Sequence, residues 1–337
     1  MITQKDIARR LGVSQALVSR ALTGTAGDIG AAAATVQRIR ETAAELHYRP
    51  SAAALTLRGA PTKTLGVVIK DFEDPFFGHL IGILQELALR HAYSLLLTGA
   101  SGDGSSQGLS ALLKHRLDGL LIVGSDFMPQ GLDIFAHHRV PMVFIGNGPQ
   151  LPRASRVEMD EQYGLRSLVM HLKRLGHRRI GLLGNRTATT TRRQPLLQRI
   201  LRQAGLPLQA HCVATPELAA PEAGHQGMKQ LLQLDARRRP TAVIAMEDVI
   251  AQTALRAIFE AGLHAPHDIS IAGIDDIPAA AMTIPALTTI HQPTRELAQT
   301  AFEILTRPST KMKRGAVIRP KLIIRESCGR PTGKVAT

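Results

Sequence analysis

The chain has 337 residues, of which 44% are hydrophobic and 20% are charged, and its formal net charge is +14. This composition is typical of globular proteins and excludes a largely disordered chain. The two cysteines, Cys212 and Cys328, lie far apart in the sequence and exclude a disulfide framework. The excess of basic residues favours a polyanionic partner such as nucleic acid, but charge alone does not identify that partner.

The N-terminal stretch MITQKDIARR is polar and charged, whereas a signal peptide needs an apolar core. No run of residues approaches the roughly 18 apolar residues of a membrane-spanning helix. We therefore expect a cytoplasmic protein that has no membrane partner.

The first 48 residues contain three predicted helices. Thr3 is placed to cap a helix through QKDIARRL, and Gly12 follows at the position of a left-handed C-cap. Ser14 then caps a second helix, QALVSRAL, and a third helix, ATVQRIRETAAELHY, closes the domain. Two short helices joined by a tight glycine-containing turn are typical of the helix–turn–helix. The alternative is an ordinary helical hairpin with a polar outer face.

The second helix has two distinct faces. One face is apolar and packs on the first helix: Leu17, Val18 and Ala21. The other face holds Gln15, Ala16, Ser19 and Arg20. Glutamine pairs with adenine, arginine pairs with guanine, and alanine fits against a thymine methyl group, whereas serine suits a phosphate. This face predicts contact with double-stranded DNA.

The next segment, 49–61, has a helix start at Pro50-Ser51 and is ended by Gly59 and Pro61. A helix this short is marginal in water on its own. It is either a plain linker or a helix that needs a partner to form.

From Thr64 onward, apolar runs alternate with helical stretches. The runs are TLGVVI, YSLLLTG, DGLLIVG, VPMVFIG, RIGLLG, TAVIAM and ISIAGID. This alternation predicts parallel sheets wound with helices, and the length fits two sheets that face each other across a cleft.

Polar residues follow several of these strands: Asp71, Asn147, Asn185, Glu247-Asp248 and Asp275-Asp276. In open α/β sheets, ligands bind beyond the carboxyl ends of the strands, so the recurrence predicts a polar ligand cleft. The alternative is that each acidic residue caps the following helix.

Enzyme signatures do not accompany this cleft. The sequence contains no GxxxxGK[ST], HExxH or GxSxG motif, and its 13 histidines show no metal-ligand spacing. We therefore expect a binding protein that is not an enzyme and that needs neither metal nor cofactor.

The whole chain resembles the lactose-repressor (LacI/GalR) family of bacterial transcription regulators. The matching segments, in order, are TQKDIARRLGVSQALVSRALTG, YRPSAAALTL, DFEDPFF, HLKRLGHRRIGLLG, AGLHAPHDISIAGIDDIP and PALTTIHQP. The resemblance implies an all-α helix–turn–helix domain followed by an α/β, two-lobed periplasmic-binding-protein-like domain. The implied boundaries are a DNA-binding domain at 1–48, a hinge at 49–61, a first lobe at 62–160 with 292–322, and a second lobe at 161–291 with 323–337.

The resemblance also implies which residues touch DNA. In the family, the hinge becomes a helix on operator DNA, and a leucine from each subunit wedges into the minor groove, which by position is Leu57 here. Leu55 departs from the family, which commonly has Arg or Gln there. The candidate DNA-contacting residues are Thr3, Ser14, Gln15, Ala16, Ser19, Arg20, Ala54 and Leu57.

For the effector, the resemblance implies an arginine near the start of a second-lobe helix, which is Arg193 here, with Arg192 beside it as a second candidate. The first aspartate of GIDD and the acidic pair after VIAM are the other polar ligands, and Asn147 substitutes for an aspartate that some relatives have at Gly146. The candidate effector-binding residues are Asp71, Phe72, Phe76, Asn147, Arg192, Arg193, Glu247, Asp248 and Asp275.

Together these features predict a homodimeric repressor of a carbohydrate operon that binds pseudo-palindromic DNA and is controlled by a small sugar or sugar derivative. Two adjacent arginines raise the alternative of an acidic or phosphorylated sugar. The rival functions are a solute-binding protein and a sugar-modifying enzyme that use the same cleft. A corepressor-dependent or activating regulator also fits the sequence.

Overall fold

The computed structural model describes residues 2–23, 31–48, 61–99, 105–124, 129–147, 154–307 and 315–332. The chain divides into two compact units, Met1–Thr62 and Lys63–Thr337, and each is described by itself. The hinge segment, with the predicted contacts of Ala54 and Leu57, lies outside the described residues apart from Pro61. Within the described residues, no helix combines the length and apolar character needed to cross a bilayer.

The first unit contains helices α1 (Gln4–Leu11), α2 (Gln15–Thr23) and α3 (Ala33–Glu45). Thr3 caps α1 in a capping box, because its hydroxyl accepts from the Asp6 amide while the Asp6 carboxylate accepts from the Thr3 amide. Helix α1 ends at Gly12, whose φ of 67° is the left-handed conformation that glycine adopts at little cost.

The turn after Gly12 leads into α2 through a second cap. The amide of Leu17 donates to the Ser14 hydroxyl at 3.2 Å. Both caps satisfy amides at helix starts, and so they fix the angle at which α2 leaves α1. The three helices enclose a small core of Ile7, Ala8, Val18, Ala21, Val36, Ile39 and Ala43. These caps and this core confirm the three-helix arrangement expected from the sequence.

The described strands of the second unit form two six-stranded sheets. The first has the order β11-β5-β4-β3-β1-β2, and the second has the order β12-β10-β9-β8-β6-β7. Neighbouring strands are parallel except for the antiparallel pair β10 and β12. The strands are β1 (Thr64–Ile69), β2 (Ser94–Gly99), β3 (Gly119–Val123), β4 (Met142–Ile145), β5 (Ala154–Met159), β6 (Ile180–Leu183), β7 (Val213–Ala214), β8 (Ala242–Ala245), β9 (Ser270–Asp275), β10 (Thr288–His291), β11 (Gly315–Ile318) and β12 (Lys321–Ile323).

Helices cover both faces of the sheets, which explains why strands such as β3 and β8 are buried along their whole length. The α-helices of this unit are α4 (Pro75–Arg90), α5 (Ser105–Leu113), α6 (Pro129–His137), α7 (Glu161–Leu175), α8 (Ala188–Gln203), α9 (Ala220–Leu232), α10 (Asp248–Glu260) and α11 (Thr294–Thr306). The alternating apolar runs therefore predicted the sheet class correctly.

The backbone passes between the two lobes at three places. It leaves the first sheet after β5, returns after β10 so that α11 packs in the first-lobe core, and passes back after β11. The last passage lies at 319–320 rather than at 322, because Lys321 already pairs with His291 in the second sheet. Three such crossings form a natural hinge between the lobes.

Candidate DNA-binding and effector-binding sites

The exposed face of α2 holds three of the four side chains that the sequence placed there. Gln15, Ala16 and Arg20 are exposed, while Val18 and Ala21 lie in the core. Ser19 is the exception, because its side chain is only 5% exposed. Ser19 therefore lies largely buried beside the exposed face, and its phosphate contact stays a prediction. The Thr3 and Ser14 hydroxyls serve as helix caps at the two helix starts.

A cavity lies between the two lobes, at the carboxyl ends of both sheets. Of the predicted effector residues, six line the cavity: Phe76, Asn147, Arg192, Arg193, Glu247 and Asp275. They reach it from strands or helix starts of both lobes, as the strand-end argument expects.

Arg193 forms the buried centre of the second-lobe wall. It lies in α8, whose first turn is capped by the Thr187 hydroxyl. Its Nε donates to Glu161 Oε1 at 2.8 Å, and one terminal nitrogen donates to the Met246 carbonyl. The neighbouring Arg192 donates to the other oxygen of Glu161. These contacts hold the guanidinium of Arg193 rigidly at the cavity wall.

Asp275 ends β9 beside this arginine. Its φ of 130° is unusual for a residue with a side chain, and such backbone strain is typical of functional positions. Its Oδ1 accepts from Gln292 Nε2 at 2.6 Å. Burial raises the pKa of Asp275 well above its ordinary value, although the positive charge of Arg193 opposes that shift. Burial of this carboxyl group therefore disfavours its ionisation, while the neighbouring Arg193 favours it.

The first-lobe wall is partly aromatic. Asp74 caps α4 by accepting from the Phe76 amide at 2.9 Å, and burial raises the pKa of this carboxyl group. The rings of Phe76 and Phe77 meet edge to face with centroids 5.3 Å apart. Asn147 follows β4 and donates to the Met159 carbonyl at 3.2 Å. A partly apolar surface thus faces the charged second-lobe wall, an arrangement that suits a ligand with one apolar face and several polar edges.

Three predicted effector residues do not line this cavity. Phe72 is 53% exposed and its ring lies over Gly99 at the end of β2. Asp71 lines an adjoining pocket that shares Lys70, Asp74 and Glu247 with the cavity. Asp248 is completely buried behind β9.

The carboxylate oxygens of Asp248 are held by structural hydrogen bonds. Thr289 Oγ1 donates to Oδ1 at 2.6 Å, and the Ile277 amide donates to Oδ2 at 3.0 Å. Gly273 of β9 is required beside it, because a Cβ at that position would overlap Oδ1. Burial raises the pKa of Asp248 to about 6. Asp248 therefore stabilises the strand ends beneath the site. It does not line the cavity, which corrects its prediction as an effector-binding residue.

Sequence reasoning missed five polar residues that line the cavity: Lys70, Asp74, Glu161, Thr189 and Gln292. Gln292 directly follows β10 and so obeys the same strand-end rule as the residues that were found. Glu161 also comes soon after a strand, but β5 alternates polar and apolar residues and was not recognised as a strand.

An exposed helix–turn–helix face followed by a two-lobed domain with a polar cavity defines a ligand-responsive DNA-binding regulator. The family description "Bacterial regulatory proteins, lacI family" matches residues 3–51, and "Periplasmic binding protein-like domain" matches residues 169–328. The HTH-type transcriptional repressor PurR of Photobacterium profundum is 31% identical over 97% of this chain and 98% of its own length. The PurR of Pasteurella multocida is 33% identical with the same coverage. The chain therefore belongs to the lacI family of bacterial regulatory proteins.

Solved structures agree with this membership. The Lac repressor dimer bound to operator and the anti-inducer ONPF matches with a TM-score of 0.83 and 26% identity, over 97% of this chain and 99% of that one. The complex of the transcriptional regulator CelR with cellobiose matches with a TM-score of 0.67 and 25% identity, over 97% of this chain and all of that one. These relatives are transcription regulators. None of them is described as a solute-binding protein or a sugar-modifying enzyme, the two rival functions considered from the sequence.

Proposed function

We propose that this protein is a homodimeric repressor that binds a pseudo-palindromic operator, and that a small sugar or sugar derivative in the interlobe cavity controls its DNA affinity. The observation that carries the proposal is the combination, in one chain, of an exposed reading face on α2 with a polar cavity lined by both lobes. A regulator of this kind acts in the cytoplasm, where its operator is.

The DNA-binding half rests on Gln15, Ala16 and Arg20. Their side chains are exposed on one helix, while two capped helix starts fix the direction of that helix. Glutamine and arginine at such positions supply bidentate contacts to purines in the major groove. The net charge of +14 supports association with the phosphate backbone. The name of the PurR relatives and the operator-bound Lac repressor dimer support the role of repressor.

The dimer is supported by large apolar side chains that are solvent-exposed in the single chain. Phe259, Met282 and Ile284 of the second lobe are 75%, 78% and 96% exposed, and Leu89 of the first lobe is 68% exposed. Large exposed apolar residues of this kind mark interfaces. A two-fold dimer places two reading helices in symmetric positions, which predicts a pseudo-palindromic site.

The ligand class rests on the chemistry of the cavity. Arg193 donates hydrogen bonds, Asp275 and Glu247 accept them, and Gln292 and Asn147 do both. Sugar hydroxyls, which both donate and accept, match such a mixed set, and Phe76 supplies a surface for an apolar sugar face. The cellobiose complex of CelR supports a carbohydrate in a fold of this kind.

Control of DNA binding follows from the position of the cavity between the lobes. A ligand that contacts both walls stabilises one lobe arrangement over another, and only such a difference in affinity shifts the equilibrium. The three backbone crossings allow that change.

The test has two parts. Binding sites are first selected from random duplex DNA with the purified protein at moderate salt, and a two-fold-symmetric site is expected. Neutral sugars, sugar phosphates, uronic acids and nucleobases are then screened by thermal shift. Stabilisation by a sugar that also changes operator affinity supports the proposal. Enrichment of no sequence overturns the regulator assignment, and stabilisation by nucleobases alone overturns the carbohydrate assignment.

A further inference from the structure

We propose that Glu161 makes the effector site select against anionic ligands, by occupying with its own carboxylate the two arginines that would otherwise bind an anion. This inference deepens the proposed function and rests on it for the location of the ligand. It assigns to Glu161 the role of a specificity-determining residue, and it predicts that an uncharged ligand fills the cavity.

Glu161 is a buried residue of the cavity wall. It is the first residue of α7, directly after the N-cap Asp160, and only 7% of its surface is exposed. Oε1 accepts from Arg193 Nε at 2.8 Å, and Oε2 accepts from Arg192. One carboxylate therefore contacts both guanidinium groups at the cavity.

The charges around the cavity lead to the same conclusion. Among the described lining residues, three are cationic and four are acidic: Lys70, Arg192 and Arg193, against Asp74, Glu161, Glu247 and Asp275. The described lining therefore carries the two signs in nearly equal number. Removing the charge of Glu161, the carboxylate in contact with Arg192 and Arg193, shifts this balance toward positive charge.

An anionic ligand meets a specific penalty in this arrangement. A phosphate or carboxylate that takes the Nε side of Arg193 must displace Glu161, which then remains buried without its partners. One that uses the remaining N–H groups lies beside the Glu161 carboxylate and is repelled by it. An unpaired buried charge is strongly unfavourable. A neutral hydroxyl avoids both penalties. Arg193 has five N–H groups, and its hydrogen bonds to Glu161 and Met246 use two of them. The positive charge of Arg192 and Arg193 is thus already compensated by Glu161, and the two arginines do not favour an anionic ligand.

The test compares the full-length protein with Glu161→Gln, which keeps the shape and removes the charge. Inorganic phosphate is titrated calorimetrically at fixed ionic strength. The control variant is Glu217→Gln, which releases Arg186 from an exposed ion pair outside the cavity. We expect Glu161→Gln to bind phosphate on the order of ten-fold more tightly than the wild type. The control should match the wild type, and adding Arg193→Ala to Glu161→Gln should remove the gain.

Equal phosphate affinity in the wild type and in folded Glu161→Gln overturns the proposal, as does tight wild-type binding of a sugar phosphate that requires Arg193. If Glu161→Gln does not fold, as judged by circular dichroism, Glu161→Asn provides a second uncharged variant, and the wild-type comparison of a sugar with its phosphate still decides. Failure of the proposed function is distinguishable. A gain of phosphate binding in Glu161→Gln supports charge selection by Glu161 even where no sugar binds the wild type.

Discussion

Replacement of Arg20 by alanine tests the reading face of α2 with little effect on folding. Arg20 is exposed and lies opposite the buried Val18 and Ala21. A bidentate contact from arginine to guanine contributes about 1–3 kcal/mol of discrimination. A symmetric dimer presents the residue twice, so Arg20→Ala should cost about 2–6 kcal/mol, which corresponds to a roughly 30-fold to 25,000-fold loss of affinity for the selected operator.

The assay is fluorescence anisotropy with the selected operator and with a scrambled duplex of the same length. The control is Arg38→Ala, which removes the same charge from the exposed face of α3. Arg20→Ala should lose affinity for the operator much more than for the scrambled duplex, whereas Arg38→Ala should affect the two duplexes about equally. Equal losses on both duplexes for Arg20→Ala would refute base reading by Arg20 and leave only a phosphate contact.

Two further predictions concern stability and assembly. Because burial raises the pKa of Asp248 to about 6, the folded protein binds a proton there that the unfolded chain releases, and the stability from this group falls as the pH rises through 6. The melting temperature of the wild type relative to Asp248→Asn should therefore rise when the pH is lowered from about 7.5 to 5.5; a pH-independent difference contradicts the assigned shift. Ile284→Asp places a charge on a side chain that is 96% exposed in the single chain, and sedimentation should show monomers with weakened operator binding. A stable dimer of this variant would show that Ile284 does not lie in the dimer interface.

The fold was predictable from sequence wherever its signals were local. Continuous apolar runs predicted the buried parallel strands, and the capping residues Thr3, Gly12 and Ser14 predicted the ends of the first helices. Strand β5, with the sequence ASRVEM, was missed because it alternates polar and apolar residues. Strand β12 has only three residues, which is too short for any periodicity, so the boundary at 322 was placed two residues late.

The site could be predicted from the sequence only for residues that directly follow strands. Glu247 and Asp248 are adjacent after β8. Glu247 lines the cavity, whereas Asp248 lies beneath it and accepts a hydrogen bond from Thr289. Sequence alone cannot distinguish them, since the choice depends on how β9 and β10 lie against α10. Glu161 and Arg193 are 32 residues apart and meet only through tertiary packing. The same limit applies to Ser19, because the packing of α2 in the three-helix unit decides how far this side chain is exposed.

The most direct test of the account is operator affinity with and without the sugar that stabilises the protein, measured for the wild type and for Asp275→Asn. Asp275 lines the cavity and lies in a separate compact unit from the reading helix. The account predicts at least about a five-fold change in wild-type operator affinity on adding the sugar. It also predicts that Asp275→Asn binds the operator normally and does not respond. A sugar that binds the wild type tightly and leaves operator affinity unchanged would contradict control of DNA binding by the cavity.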